Sequence, residues 1–225
     1  MISAIIVAGG KGERLLASVP KQFLEVRGKP ILLRAVERVW ACSRISEMIV
    51  VAPEAFLPQT RQMLSGKEAK IVAGGAERQD SVYAGLQACS AQAQMILIHD
   101  GVRPFPSREL IERVIGAAEK SGAAIPGLPL KETLKEVDHK PGTVIGTVDR
   151  SRLFFISTPQ VFQRHPIMDA HQRAQNLGFY ATDDAGLIEW AGGSVVMVPG
   201  EETNIKITTR LDLKLAELIA EELGI

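Results

Sequence analysis

The sequence predicts an α/β protein: a single Rossmann-like, doubly wound domain over 1–225 with a mainly parallel sheet, from which a β-hairpin dimerisation arm projects at 131–150. Three observations carry this reading. Short apolar runs alternate with longer stretches of helical period, the pattern of βαβ units. The first run breaks into glycines at Gly9, Gly10 and Gly12, the kind of loop that follows the first strand of a nucleotide-binding sheet. The stretch 131–150 alone departs from the βα rhythm, with two β-like runs around a turn-rich centre.

Taken in order, Ile2–Ala8 is the first strand. Pro30–Cys42 reads as a helix, with Pro30 suited to the first turn and Leu32, Val36, Val39 and Trp40 on one face. Met48–Ala52 is a second strand, Glu54–Leu64 a helix and Lys70–Ala73 a third strand. Gln79–Cys89 reads as a helix, and Met95–Ile98 as a strand buried on both faces that ends at His99-Asp100. Ser107 is placed to cap a helix over Arg108–Lys120, and Ala123–Leu130 is another strand. The right-handed crossover rule then puts the loops that follow the strands on one edge of the sheet. In the arm, Thr133–Val137 and Thr143–Val148 flank a turn at Asp138-His139-Lys140-Pro141-Gly142. A hairpin with so few core-sized residues is marginal alone, and a second subunit is the economical packing partner.

Composition narrows the function classes. The 26 basic and 26 acidic side chains cancel, so no overall field draws the chain to nucleic acid or to a membrane surface. The two cysteines, Cys42 and Cys89, fall in apolar stretches read as helices, lack metal-ligand spacing and read as buried free thiols. The expectation is a cytoplasmic protein, as no targeting segment or bilayer-length apolar run stands out. No Pro/Ser/Gly linker or internal repeat divides the chain.

Lys11, Arg14 and Lys21 follow the glycines of the first loop. Glycines let backbone N–H groups approach phosphate oxygens, and cations offset phosphate charge. Two named cradles fail: Glu13 stands where a Walker A loop needs Lys, and Leu15 stands where a dinucleotide fingerprint needs a third small residue. A phosphate cradle of another kind and an ordinary strand-to-helix turn both remain open on this segment. Three other charged segments fall at the same sheet edge: Gly74–Arg78, His99–Pro104 and the surroundings of Asn204–Lys206. Their convergence puts Arg14, Lys21, Arg78, Arg103 and Lys206 beside one anionic ligand, and Asp100 beside a magnesium ion or a sugar hydroxyl.

The combined pattern resembles the 2-C-methyl-D-erythritol 4-phosphate cytidylyltransferase family. It is carried by Ala8–Leu15, Pro20-Lys21-Gln22-Phe23-Leu24, Gly74-Gly75 with Arg78 and Ser81-Val82, and His99-Asp100-Gly101 with Arg103-Pro104. Thr147-Val148-Asp149-Arg150, Thr158-Pro159-Gln160, Thr182-Asp183-Asp184 and Asn204–Thr208 continue it through nearly the whole chain. The first loop specifies only the nucleotidyltransferase superfamily; the later motifs narrow it.

The resemblance implies transfer of the cytidylyl group of CTP to a sugar-alcohol phosphate, releasing pyrophosphate in non-mevalonate isoprenoid biosynthesis. It implies Arg14, Lys21, Arg150 and Lys206 as catalytic residues. It also implies that Ala8, Gly9, Gly10, Lys11, Gly12, Gly75, Arg78, Ser81, Asp100 and Gly101 bind the nucleotide, Ser81 reaching the pyrimidine. Arg103, Thr133, Arg150, Thr158 and Lys206 would bind the acceptor, with Thr133 and Arg150 supplied by the neighbouring subunit of a homodimer. Asp100 would hold Mg2+. The attacking phosphate is already anionic at neutral pH, so no general base is required.

Arg210 departs from the proline usual at the start of the last helix, and Val102 from a smaller residue near Asp100. His99 reads as a buried supporting histidine, and Asp183 and Asp184 as caps of a helix running through Trp190. The rival readings are a ribitol 5-phosphate cytidylyltransferase, which shares the nucleotide loops, and a noncatalytic nucleotide-binding assembly protein. Thr147–Arg150 favours methylerythritol phosphate as acceptor.

Overall fold

The structure is a computed structural model that describes residues 1–9, 20–140 and 142–225. The strands are β1 (Ile2–Val7), β2 (Glu25–Val26), β3 (Lys29–Pro30), β4 (Ile45–Ala52), β5 (Lys70–Ala73), β6 (Met95–Asp100), β7 (Ala123–Pro129), β8 (Leu134–Asp138), β9 (Thr143–Val148), β10 (Phe154–Ile156), β11 (Gln160–Gln163) and β12 (Val196–Pro199). The helices are α1 (Ile31–Trp40), α2 (Leu57–Met63), α3 (Arg78–Ala88), α4 (Arg108–Ser121), α5 (Arg164–Leu177), α6 (Asp184–Trp190) and α7 (Arg210–Glu222).

β1, β4, β5 and β6 are parallel neighbours in the order β5-β4-β1-β6. β1 and β6 are buried at every residue, which is why both read as unbroken apolar runs rather than as alternating ones. β1 connects through α1 to β4 on one side and has β6 on the other, so the switch point of the sheet lies between β1 and β6. Val7 is in register with Asp100 there, which sets Ala8 and Gly9 beside the end of β6.

Beyond β6 the sheet is mixed. β11 inserts antiparallel between β6 and β7, β10 continues antiparallel along β7, and β12 is parallel to β7. The expectation that ligand loops all follow strands is therefore corrected at one place. Because β11 runs backwards, the residues that precede it, Ser157-Thr158-Pro159 with a cis Thr158–Pro159 bond, arrive at the C-terminal end of β6.

Helices cover both faces. On one, Leu32, Val36 and Val39 of α1 and Leu110, Ile111, Val114 and Ile115 of α4 pack on Ile6, Val50 and Leu97. On the other, Val82 and Leu86 of α3, Ile167 and Ala170 of α5 and Leu187 of α6 pack on Ile5, Ile49 and Ile98. A third cluster joins Val102, Phe105 and Ile207 to Ala216 and Ile219 of α7. Val102 is thus a core contact for α7, and Ile207 N–H donates to its carbonyl at 2.9 Å.

Local signals mostly hold. Ser107 accepts from Leu110 N–H at the start of α4, and Gly122 ends that helix at φ +88°, where a side chain would be strained. Thr209 and Asp212 form a capping box at α7, which stands in for the missing proline. Four boundaries are corrected. Pro30 lies outside α1, pairing with Glu25 in the β2–β3 hairpin, and Cys42 and Cys89 fall just beyond helix ends. Glu54–Phe56 is a 3-10 turn, and the α-helix begins at Leu57.

The arm forms its own two-stranded sheet from β8 and β9, separate from the main one. Val137, Val144, Ile145 and Val148 on it are exposed, as are Phe154, Phe155 and Ile156 of β10.

Candidate active site

The carboxylate of Asp100, at the end of β6, is buried and collects cations from the first residue of α3, the loop after β6 and the loop before α7. Arg78 Nε lies 3.0 Å from Oδ1; Lys206 Nζ lies 2.8 Å and Arg103 Nε 3.6 Å from Oδ2. Burial alone would raise the Asp100 pKa, but Arg78, Lys206 and Arg103 outweigh it and hold the group well below the usual carboxylate range. Arg78 reaches on to a second buried carboxylate, Asp184, with Nη1 2.8 Å from Oδ2. Burial would lower its pKa; Asp184 and Asp100 overcome that and keep the guanidinium fully charged.

Asp100 is locked from behind. Its N–H donates to Thr158 Oγ1 at 3.0 Å, and that hydroxyl lies 3.0 Å from His99 Nδ1. His99 Nε2 lies 2.9 Å from the Arg103 carbonyl, which can only accept, so the ring is the Nε2–H tautomer and Nδ1 accepts from Thr158. Burial pushes the His99 pKa down to about 4, so the ring is neutral at physiological pH. Asn204 Nδ2 donates to the Thr158 carbonyl at 2.8 Å, and Arg103 Nη1 donates to the Asn204 carbonyl at 2.9 Å. The loops of β6, β11 and α7 are therefore one unit.

The glycine side of the site is equally close-packed. Ala8 N–H donates to Val51 O, and Gly101 N–H to Val7 O, each at 2.8 Å. A Cβ on Gly9 would come within 2.9 Å of Ser81 Oγ, and one on Gly74 within 2.6 Å, so two loops reach Ser81 only as glycine. The Ser81 hydroxyl donates to Glu77 O at 3.1 Å and accepts from Gly75 N–H at 3.2 Å.

Three cations around one carboxylate, beside glycine-lined backbone at a switch point, make a cationic edge of the kind that can receive a phosphorylated ligand. Residues 2–222 match the family model of 2-C-methyl-D-erythritol 4-phosphate cytidylyltransferase. The chain belongs to that family. A relative from Syntrophus aciditrophicus that bears the family name is 43% identical over 221 residues, 96% of this chain and 94% of its own. Among solved structures, the 4-diphosphocytidyl-2C-methyl-D-erythritol synthase of Anaerococcus prevotii superposes with a TM-score of 0.87 at 33% identity, covering 98% of this chain and 96% of that one. The 2-C-methyl-D-erythritol 4-phosphate cytidylyltransferase of Thermus thermophilus superposes at 0.82 and 34% identity, covering 96% and 98%.

The site residues expected from the sequence fall into four groups. Ala8, Gly9, Gly75, Arg78, Ser81, Asp100, Gly101, Arg103 and Lys206 do converge on the β1–β6 edge, with Thr158 behind them. Gly10, Lys11, Gly12 and Arg14 lie outside the described residues. Thr133 and Arg150 are exposed at the base of the arm, and among the described residues neither has a hydrogen bond or ion pair to the Asp100 cluster. Lys21 opens a 3-10 turn at Lys21–Phe23.

Sequence reasoning assigned no role to Gln22, which is buried and donates from Nε2 to the Ala8 carbonyl at 2.8 Å, tying the Lys21 turn to the end of β1. The signal in the sequence is a polar residue set between Lys21 and Phe23 in the Pro20–Leu24 motif. Asp183 is the N-cap of α6, as expected, but Asp184 turns inward to Arg78 and His171.

Among the described residues no three His, Cys, Asp or Glu side chains cluster as a metal cage. Mg2+ needs less, since it keeps several waters and is held by one or two carboxylates with substrate phosphates. Asp100 fits that requirement as a hard oxygen donor at the C-terminal end of β6, where Oδ2 would exchange Lys206 for the ion.

Proposed function

We propose that the protein transfers the cytidylyl group of CTP to 2-C-methyl-D-erythritol 4-phosphate, giving 4-diphosphocytidyl-2-C-methyl-D-erythritol and pyrophosphate. The observation that carries the reading is the gathering of Arg78, Arg103 and Lys206 on Asp100, at the sheet edge where Ala8 and Gly101 are tied to β4 and β1, in a chain of this family. Residues 1–225 act as one nucleotidyltransferase domain.

In the reaction the acceptor phosphate attacks the α-phosphorus of CTP in line, and the bond to pyrophosphate breaks. Two anions must approach, so positioning and charge stabilisation dominate the barrier. Arg14 and Lys21 stabilise charge that builds on the α-phosphate. Ala8–Gly12, Gly75 and Gly101 bind the nucleotide, with Ser81 near the pyrimidine and Asp100 near the ribose. Mg2+ held by Asp100 would neutralise part of the nucleotide phosphate charge when bound. Lys206 and Arg103 orient the acceptor phosphate, and Lys206 is well placed because its side chain is more exposed than those of Arg78 and Arg103.

Thr133 and Arg150 complete the acceptor site from a partner subunit. Support comes from their exposure at the base of a separate hairpin whose apolar residues have too little to pack on in one chain. The enzyme works in the cytoplasm, a reading supported by its two buried, unbridged cysteines.

The test is incubation of pure protein with each of the four nucleoside triphosphates and with methylerythritol phosphate or ribitol 5-phosphate, scored by pyrophosphate release. Only the CTP and methylerythritol phosphate pair is expected to turn over well. A site that hydrogen-bonds the cytosine amino group leaves its acceptor unpaired with uracil, and such discrimination is large. Equal turnover of CTP and UTP, or preference for ribitol phosphate, would contradict the assignment.

A further inference from the structure

Asp184 is 1% exposed, and α6 does not need it as a cap, because Asp183 already accepts the Gly186 N–H at 2.9 Å. A carboxylate taken so far from water is costly unless its charge is used. Both oxygens have partners: Oδ2 lies 2.8 Å from Arg78 Nη1, and Oδ1 lies 3.2 Å from Nε2 of the buried His171 on α5. Arg78 in turn uses Nε on Asp100 Oδ1 at 3.0 Å. The guanidinium is thus clamped between a carboxylate in the core and a carboxylate in the site.

We propose that Asp184, braced by His171, is a positioning residue that acts through Arg78 to orient Asp100. The two oxygens of Asp100 have different partners: Oδ1 goes to Arg78, while Oδ2 faces Lys206 and Arg103. Arg78 is the first residue of α3 and carries a long side chain with many rotamers. Held by Asp100 alone, it could follow any rotation of that carboxylate; anchored on Asp184, it resists the rotation. Oδ2 is then kept toward Lys206 and the ligand side. Planar, two-edged recognition requires arginine here, since lysine offers one compact charge. The inference rests on the assignment of Asp100 to the nucleotide side of the active site.

The decisive experiment is a double-mutant cycle with Asp184→Asn and Arg78→Met, reading kcat/KM and the equilibrium affinity for CTP by calorimetry in the presence of magnesium. Asp184→Asn keeps the side-chain volume and should lower kcat/KM about ten- to a hundredfold, the usual effect of losing a supporting partner of a site carboxylate. CTP affinity should fall with it. In the Arg78→Met background the same substitution should change both by less than about threefold, because the group it acts through is gone. His171→Asn, which leaves Asp184 in place without its brace, should lower CTP affinity in the same direction and covers the case in which Asp184→Asn does not fold. Equal factors in both backgrounds, or unchanged CTP affinity in Asp184→Asn and His171→Asn, would overturn the inference while leaving the site assignment intact. An Arg78→Met protein with wild-type parameters would overturn the placement of Arg78 in the site, and the inference with it.

Discussion

Lys206 Nζ lies 2.8 Å from Asp100 Oδ2, an ion pair between the loop before α7 and the end of β6. The same oxygen is 3.6 Å from Arg103 Nε, and the other oxygen is held by Arg78. One negative group thereby restrains three positive ones that would otherwise repel each other.

Asp100→Asn should therefore destabilise the fold as well as impair catalysis. Breaking a buried pair costs about 3–5 kcal/mol, and the lower end applies because Lys206 is half exposed. The folded pKa of Asp100 lies below its unfolded value, so its contribution is complete above about pH 4 and declines as pH falls below that. Urea denaturation of both proteins should show a gap at pH 7 that narrows in acid. A constant gap down to pH 2 would mean that the charge is not the source.

His99 should give stability a pH dependence of its own. Its folded pKa of about 4 lies below the ordinary histidine value, so between about pH 6.5 and 4 the unfolded chain binds the proton and the folded one does not. Stability should then fall by about 1.4 kcal/mol per pH unit as pH drops through that window, and be unaffected by this group above it. His99→Gln keeps a donor for the Arg103 carbonyl and should remove that slope. Urea curves from pH 7 to pH 4.5 would show it, and an unchanged slope in the variant would assign the effect elsewhere.

Lys21→Ala should lower kcat more than it weakens CTP binding, because its charge acts where negative charge develops. Loss of one preorganised contact of this kind typically reduces the rate by about 10²–10³-fold. Steady-state kinetics paired with CTP titration would separate the two effects. A normal kcat would remove Lys21 from the catalytic residues.

Arg150→Ala and Arg14→Ala proteins, each impaired alone, should recover activity when their subunits are mixed. In the hybrid dimer one site would draw an intact Arg14 from one chain and an intact Arg150 from the other. Subunit exchange followed by mass spectrometry establishes that hybrids form. Hybrids without activity would rule out a shared site.

Much of the molecule is legible in its residue pattern. The buried parallel strands announce themselves as unbroken apolar runs, since both faces of β1 and β6 are covered. Ser107 and Gly122 mark the ends of α4, because a cap hydroxyl and a positive φ are local requirements. Strand boundaries are less legible where a partly buried polar residue is satisfied by a distant partner. β4 begins at Ile45 rather than Met48, with the Glu47 carboxylate taken up by Lys70 and the Ser90 N–H.

By itself, then, the sequence determined the alternation of strands and helices, the glycine-rich segment, the polar arm and the charged motifs that carry the family resemblance. Each depends on neighbouring residues or on a periodicity that the chain carries along its length. Only the tertiary structure decided that β11 runs antiparallel and delivers Thr158 to Asp100, that Gln22 fastens the Lys21 turn to Ala8, and that Arg78 is clamped between Asp100 and Asp184. The partners of that last clamp stand 22 and 106 positions away from Arg78. The identity of a buried charge's partner follows from which loops the sheet order brings together, and no local pattern encodes that.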